Sequence, residues 1–361
     1  MPADARWMRV ALEAAERERG TAPNPRVGAV LATAERLLAL GAHQRAGGPH
    51  AEIAALQSYT DTIPYQATLY VTLEPCNHTG RTGPCTETII ARGVRRVVYG
   101  CQDPNPRVAG SGLARLRAAG VEVVGPVLED DALDLLVEFR RWLEQVPMGA
   151  IKVAQTLDGY VADAGGRSRW ITGAAARARV HALRSDYGLV VTGKGTWLAD
   201  DPQLNARDAG AVPQPARMVL CRDLPVARHE AAIFRSPEPV YMVAERSTDA
   251  AMRSWESGQA TVWIVPGYTQ EPDRWLARLW DAGLVRYMCE AGPTLNRWML
   301  RHRLVQYAHW FVAPRLLVGQ GRAATGAEPG MPLADALTLR HPRYTVWGAD
   351  VEVSGELRDP A

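Results

Sequence analysis

The chain has 361 residues, 47% hydrophobic and 22% charged, which suits a globular protein of two ordinary domains. Its 41 basic and 39 acidic side chains nearly cancel, so a general nucleic-acid or membrane-surface binder, which needs a basic excess, is not expected. No apolar run reaches the roughly 18 residues of a membrane span, and Met1 to Trp7 lead into charged amphipathic sequence without an apolar signal core, so a cytoplasmic location is expected.

Trp7, Met8, Ala11, Leu12 and Ala15 recur at helical spacing and predict an opening helix that ends near Gly20. Residues 27–32 and 37–41 read as a hairpin, 51–58 as a helix and 67–73 as a buried strand. A helix at 85–92 closed by Gly93, a strand at 94–100, a helix at 111–119 and a strand at 121–124 follow. This alternation predicts a three-layer α/β domain. A helix over 130–145 leads out of it, and Pro147 and Gly149 place a boundary there, giving domains 1–146 and 147–361.

The second series is again α/β. Strands are predicted at 150–154, 189–192, 217–221, 240–244, 261–265, 285–290 and 307–312, with helices at 174–185, 273–282 and 294–302. The intervals 199–216 and 223–239 read as loops.

Of the five cysteines, Cys101, Cys221 and Cys289 sit in apolar runs and read as buried small hydrophobes. Cys76 and Cys85 stand differently. His50-Ala51-Glu52 opens a predicted helix, and Pro75-Cys76 and Pro84-Cys85 follow it, a variant of the H-x-E and P-C-x-x-C pattern of zinc deaminases in which residues 77–84 separate the cysteines. One imidazole and two thiolates leave a fourth tetrahedral position for water, as in catalytic zinc sites. Zinc lowers the pKa of that water from 15.7 to about 7, so hydroxide can attack an amino-bearing ring carbon. Glu52 is then the carboxylate that carries the water's proton to the leaving nitrogen. A structural site with His78 as fourth ligand is the alternative, although it has no use for Glu52.

The neighbouring sequence carries a more specific resemblance. Pro23-Asn24-Pro25-Arg26-Val27-Gly28, His43-Gln44-Arg45-Ala46-Gly47, Thr72-Leu73-Glu74-Pro75-Cys76, Gly80-Arg81-Thr82-Gly83-Pro84-Cys85 and Gln102-Asp103-Pro104-Asn105-Pro106 occur in that order. Together they resemble the bifunctional deaminase–reductase of riboflavin biosynthesis, and the long interval between the cysteines is that family's variant. The resemblance implies a cytidine-deaminase-like first domain acting on 2,5-diamino-6-(5-phosphoribosylamino)pyrimidin-4(3H)-one. By it, Asn24, His43, His78 and Asn105 hold the pyrimidine and ribose, with Arg81 toward the phosphate. Asn24 and Asn105, each between prolines, are also ordinary turn residues. Asp103 reads as a loop or capping residue.

In the second half, the spacing of Gly188 to Lys194 approaches a P-loop. However, Gly195 replaces the required Ser or Thr, and the intervening residues read as strand. The turn Cys289-Glu290-Ala291-Gly292-Pro293-Thr294-Leu295 offers free N–H groups at a helix start, suited to an anion or to a simple βα connection. Lys152 to Gly159, Ser168 to Thr172 and Thr196 to Pro202 resemble the family's reductase domain, which implies a dihydrofolate-reductase-like fold. That resemblance places NADPH along Ala154, Trp170, Thr196, Asp200, Gly292, Pro293, Thr294 and Leu295. It places the phosphosugar at Ser168, Arg184, Leu204, Arg207 and Glu290; a homo-oligomer is expected. Lys152 and Asp158 are candidate proton donors, Asp158 being equally a turn residue. Lys194, Arg222 and Asp223 depart from the family's usual residues, and the two cations must reach water or an anion such as the NADPH 2′-phosphate. Three other readings stay open: a deaminase with a non-catalytic second domain, a nucleic-acid-editing deaminase, and a zinc-stabilised binding module.

Overall fold

The structure, a computed structural model, describes residues 3–18, 21, 23–78, 83–106, 108–207, 212–326 and 330–358. Gly20 and Arg81 lie outside them. The chain divides into two compact units, Met1–Glu144 and Gln145–Ala361.

The first unit runs α1 (Ala3–Arg17), β1 (Gly28–Ala32), β2 (Leu37–Ala42), α2 (Ala51–Ser58), β3 (Thr68–Leu73), α3 (Cys85–Ala91), β4 (Arg96–Cys101), α4 (Ser111–Ala118), β5 (Glu122–Val124), α5 (Glu129–Asp134) and α6 (Val137–Leu143). Its sheet has the order β2-β1-β3-β4-β5, antiparallel across β1 and parallel from β3 to β5. Every residue of β1 and β3 is buried, as expected of strands covered on both faces. Two glycines show how the layers meet. A Cβ on Gly28 would lie 2.0 Å from the Ala11 carbonyl oxygen in α1, and one on Gly41 would lie 2.4 Å from both Ala51 O and Ala55 N in α2. Gly28 pairs with Ala42 and Gly41 with Ala29, so the two glycines point to opposite faces. The helices α1 and α2 therefore sandwich the sheet.

The helix expected over 130–145 is two helices. Leu136 leaves helical geometry at φ −98° and ψ 2°. Leu135 and Leu136, at the break, both enter the core with Ala132.

The second unit runs β6 (Met148–Thr156), β7 (Tyr160–Asp163), α7 (Ala174–Tyr187), β8 (Leu189–Gly193), α8 (Lys194–Asp200), β9 (Ala216–Asp223), β10 (Val240–Arg246), α9 (Asp249–Ser254), β11 (Thr261–Ile264), α10 (Asp273–Asp281), β12 (Arg286–Cys289), α11 (Pro293–Arg301), β13 (Tyr307–Ala313), β14 (Gly321–Ala323), β15 (Thr338–Trp347) and β16 (Asp350–Arg358). Its large sheet has the order β11-β10-β9-β8-β12-β6-β13-β16-β15; β7 and β14 form a separate pair. Strands β11 through β13 are parallel, and β13, β16 and β15 are antiparallel. The segment 189–193 is indeed strand, which removes the P-loop geometry. The C-terminal hairpin β15–β16 went unread because Pro342 interrupts its first strand; the register shifts there, between Arg340 and Arg343, on an edge strand where proline is tolerated.

Candidate active site

Each candidate metal-ligating side chain stands at or just beyond the end of an element. His50 is the N-cap residue of α2, Cys76 follows β3, and Cys85 is the first residue of α3. His50 Nδ1 lies 3.2 Å from Cys85 Sγ and 3.5 Å from Cys76 Sγ. A tetrahedral zinc with Zn–N near 2.0–2.1 Å and Zn–S near 2.3 Å spaces such atoms about 3.5–3.8 Å apart, so the donor set fits zinc. Among the described residues, these three form the cluster able to hold a metal. His78 is exposed and stands outside it. The Cys85 N–H donates to Cys76 Sγ at 3.4 Å. The Cys76 thiol is pulled down to about 4, chiefly by hydrogen bonding from the Cys85 thiol and then from His50, against its burial.

Glu52 lies on the first turn of α2, and its side chain is buried. Burial pushes its carboxyl up to about 7. A group in that range both takes and gives a proton near neutrality. His43 faces His50 edge-on, with ring centroids 5.6 Å apart. Its Nδ1 meets the Pro49 carbonyl at 2.9 Å, which leaves Nε2 to accept from Asn24 Nδ2 at 3.0 Å. Asn24 and His43 are thus gathered beside the candidate metal ligand His50. Asp103 Oδ1 accepts from the Asn105 N–H at 2.8 Å, a turn-capping role.

In the second unit, the candidates cluster at the carboxyl ends of parallel strands, where open α/β sheets bind ligands. Lys152 Nζ lies 3.4 Å from Glu290 Oε1, and Arg184 grips both Glu290 oxygens at 2.9 Å. Arg184 Nη1 also donates to the Asn205 carbonyl at 2.8 Å, and Arg207 donates to Asn205 Oδ1 at 3.1 Å. This draws the 204–207 segment, with buried Leu204, to the same cluster. Nearby, a Cβ on Gly292 would lie 3.3 Å from Thr196 Oγ1. Arg169, next to Ser168, donates to the Asp200 carbonyl, and Trp170 is exposed with Arg177 over its ring at 4.6 Å. Asp158 accepts from Thr156 Oγ1 and from the Leu317 and Val318 N–H groups, bonds that lower its pKa and make it a loop anchor. Arg222 is exposed, 3.8 Å from Glu245, and Asp223 pairs with exposed Arg246.

Burial acts to raise the Glu290 pKa, but Arg184 and Lys152 outweigh it and hold the carboxyl well below its ordinary 4.5. A depressed pKa stabilises the fold fully above the unfolded-chain value, and this stability is lost as pH falls from there through the folded value. Arg184→Leu strips the main partner from a carboxylate only 18% exposed, so a loss of about 3–5 kcal/mol at pH 7 is expected. Thermal unfolding from pH 7 to pH 3 checks this. The wild-type advantage over the variant should shrink on acidification, and a difference that does not depend on pH would count against an ionised Glu290.

Comparison with known proteins agrees with this two-part architecture. Residues 1–101 match the cytidine and deoxycytidylate deaminase zinc-binding region, and residues 147–351 match the RibD C-terminal domain. The riboflavin biosynthesis protein RibD of Aquifex aeolicus is 37% identical, with 97% of each chain covered. The chain belongs to the RibD family. RibD of Escherichia coli is 36% identical over 96% of this chain and 98% of its own. Among solved structures, the diaminohydroxyphosphoribosylaminopyrimidine deaminase/5-amino-6-(5-phosphoribosylamino)uracil reductase of Thermotoga maritima superimposes with a TM-score of 0.75 at 30% identity, and Acinetobacter baumannii RibD with 0.72 at 35%. Each covers 99% of both chains. Among the described residues, no helix is long and apolar enough to cross a membrane.

Sequence reasoning quoted Glu74 within a motif but gave it no role. It is buried and accepts hydrogen bonds from four backbone N–H groups. The signal available was an acidic residue at a strand end, two places before a metal ligand.

Proposed function

We infer that this chain is a bifunctional enzyme of riboflavin biosynthesis, a zinc-dependent pyrimidine deaminase joined to a nicotinamide-dependent reductase. The observation that carries this reading is the three-donor set His50, Cys76 and Cys85 with buried Glu52, in a RibD-family chain. The proposed first substrate is 2,5-diamino-6-(5-phosphoribosylamino)pyrimidin-4(3H)-one, whose 2-amino group is exchanged for oxygen with release of ammonia. His50, Cys76 and Cys85 would hold zinc, which would supply a water acidic enough to react at neutral pH. Glu52 takes a proton from that water and delivers it to the departing nitrogen. Asn24, His43, His78 and Asn105 are the proposed contacts to pyrimidine and ribose, with Arg81 toward the phosphate.

The second proposed step reduces the ribosyl group to ribityl. The residues fit a nicotinamide cofactor. Gly292 brings backbone close to Thr196, and α11 starts with Pro293 without a side-chain cap, leaving its first-turn N–H groups for a pyrophosphate. Ala154, Trp170, Asp200, Thr294 and Leu295 complete the proposed cofactor contacts, and NADPH is the proposed form. Gly193 pairs with Leu220, so Lys194 and Arg222 stand near the carboxyl ends of adjacent strands, where a 2′-phosphate would find two cations. The cofactor contributes the hydride, while the protein orients it and excludes water. Glu290, with Lys152 and Arg184, is proposed to hold the sugar; Ser168, Leu204 and Arg207 line the same substrate. Lys152 is the favoured proton donor, because Asp158 is committed to its loop.

A homo-oligomer is also proposed, formed through the second unit. Strand β15 is an open sheet edge with exposed Tyr344 and Val346.

The deciding experiment supplies the diamino substrate with and without NADPH and weighs the products. Amine-to-oxo exchange adds about one mass unit, and reduction adds about two more. Deamination without NADPH oxidation would favour a non-catalytic second unit, and no product at all would refute the reading.

A further inference from the structure

Glu74 follows β3 and precedes Pro75 and Cys76, yet the proton transfer does not use it. Its side chain is 5% exposed, and a buried carboxylate is tolerated only when its lone pairs are satisfied. All the satisfying donors come from one stretch of chain. Oε2 accepts from Gly110 N–H at 2.8 Å and from Asp103 N–H at 3.4 Å. Oε1 accepts from Gly112 N–H at 2.9 Å and from Leu113 N–H at 3.4 Å. Both oxygens are used, which a carboxylate can do and a carboxamide, with one acceptor atom, cannot.

The stretch is shaped to deliver those donors. Gly110 takes a left-handed φ of +81°, and a Cβ on Gly112 would lie 1.9 Å from the Pro75 carbonyl oxygen. The Gly112 and Leu113 amides in the first turn of α4, which lack acceptors in their own helix, point at Glu74 instead. Asn105 sits between the anchored Asp103 and Gly110.

We propose that Glu74 is a positioning residue for deamination, fixing the 103–113 segment, and Asn105 with it, to the same main chain that carries Cys76. This rests on the pyrimidine-deaminase reading above. Substrate contacts and metal ligand are thereby held in one rigid piece, so loss of the clamp changes substrate binding while the three metal donors remain.

Glu74→Gln keeps the side-chain shape but turns an NH₂ toward two backbone donors. In the zinc-loaded full chain, the expected result is unchanged zinc content and a KM for the diamino substrate raised about ten-fold, with kcat changed much less. Adding Asn105→Ala to Glu74→Gln should raise KM little further, since both act through one contact. An unchanged KM, effects that simply add, or loss of zinc from Glu74→Gln overturns the proposal. Should the variant not fold, amide exchange in the wild-type enzyme decides. Gly110 and Gly112 should be protected although they lie at a helix start, and free exchange at both overturns the clamp. Failure of the wild type to deaminate would sink the functional reading, and the exchange result would still judge the clamp separately.

Discussion

Replacing Glu52 by Gln is expected to slow ammonia release by about 10²–10⁴-fold, with zinc retained at the wild-type stoichiometry. Glutamine keeps the shape and hydrogen-bonding reach of the side chain but cannot take the water's proton. Glu52 is buried on the first turn of α2, and a neutral amide is easier to bury than a charge, so the variant should fold. Ammonia assays and metal analysis on one preparation separate the possibilities. If activity survives within a few-fold, Glu52 is not the proton carrier. If zinc and activity disappear together, its role lies with the metal.

Cys85→Ser should act earlier, on the metal itself. A serine hydroxyl is a poor ligand for zinc, and changes outside the ligand shell already cost 10–100-fold in affinity. A loss of more than about 100-fold is therefore expected, with deamination abolished under dialysis against a mild chelator. Cys85 is fully buried as the first residue of α3, so thermal stability of the first unit should fall as well, because metal bound only by the folded state stabilises it. Reduction of the already deaminated pyrimidine by NADPH should persist, since Lys152, Arg184 and Glu290 belong to the other compact unit. A variant that keeps stoichiometric zinc would mean that another side chain completes the site.

The parts of the molecule legible in the sequence are those whose physics is local. Strand β3 is buried along its whole length, and its run of β-branched, aromatic and leucine residues, Thr68 to Leu73, can be seen without the fold. The cluster of His50, Cys76 and Cys85 was legible because residue types that suit zinc stand at element ends, and the interval 77–84 displaces the second cysteine without changing its place at a helix start. The clamp at Glu74 was not legible, because its partners are backbone N–H groups that leave no trace beyond Gly110 and Gly112. The hairpin β15–β16 was hidden both by Pro342 in its first strand and by its reliance on a distant partner. Its burial depends on β13, where His309 Nδ1 meets Glu352 Oε1 at 2.7 Å and His309 Nε2 meets the Tyr187 hydroxyl at 3.1 Å. Such a pairing of distant residues cannot be read from a window. The grip of Arg184 on Glu290 is of the same kind; alone, Arg184 reads as an ordinary helix arginine.

The placement of the two cysteines has one more implication. Cys76 belongs to the main chain leaving β3 and Cys85 to the opening turn of α3, so each thiolate takes its position from its own element. The spacing of the two sulfurs is therefore set by where β3 ends and α3 begins. A change in the number of residues between Cys76 and Cys85 is expected to leave the two sulfur positions where they are.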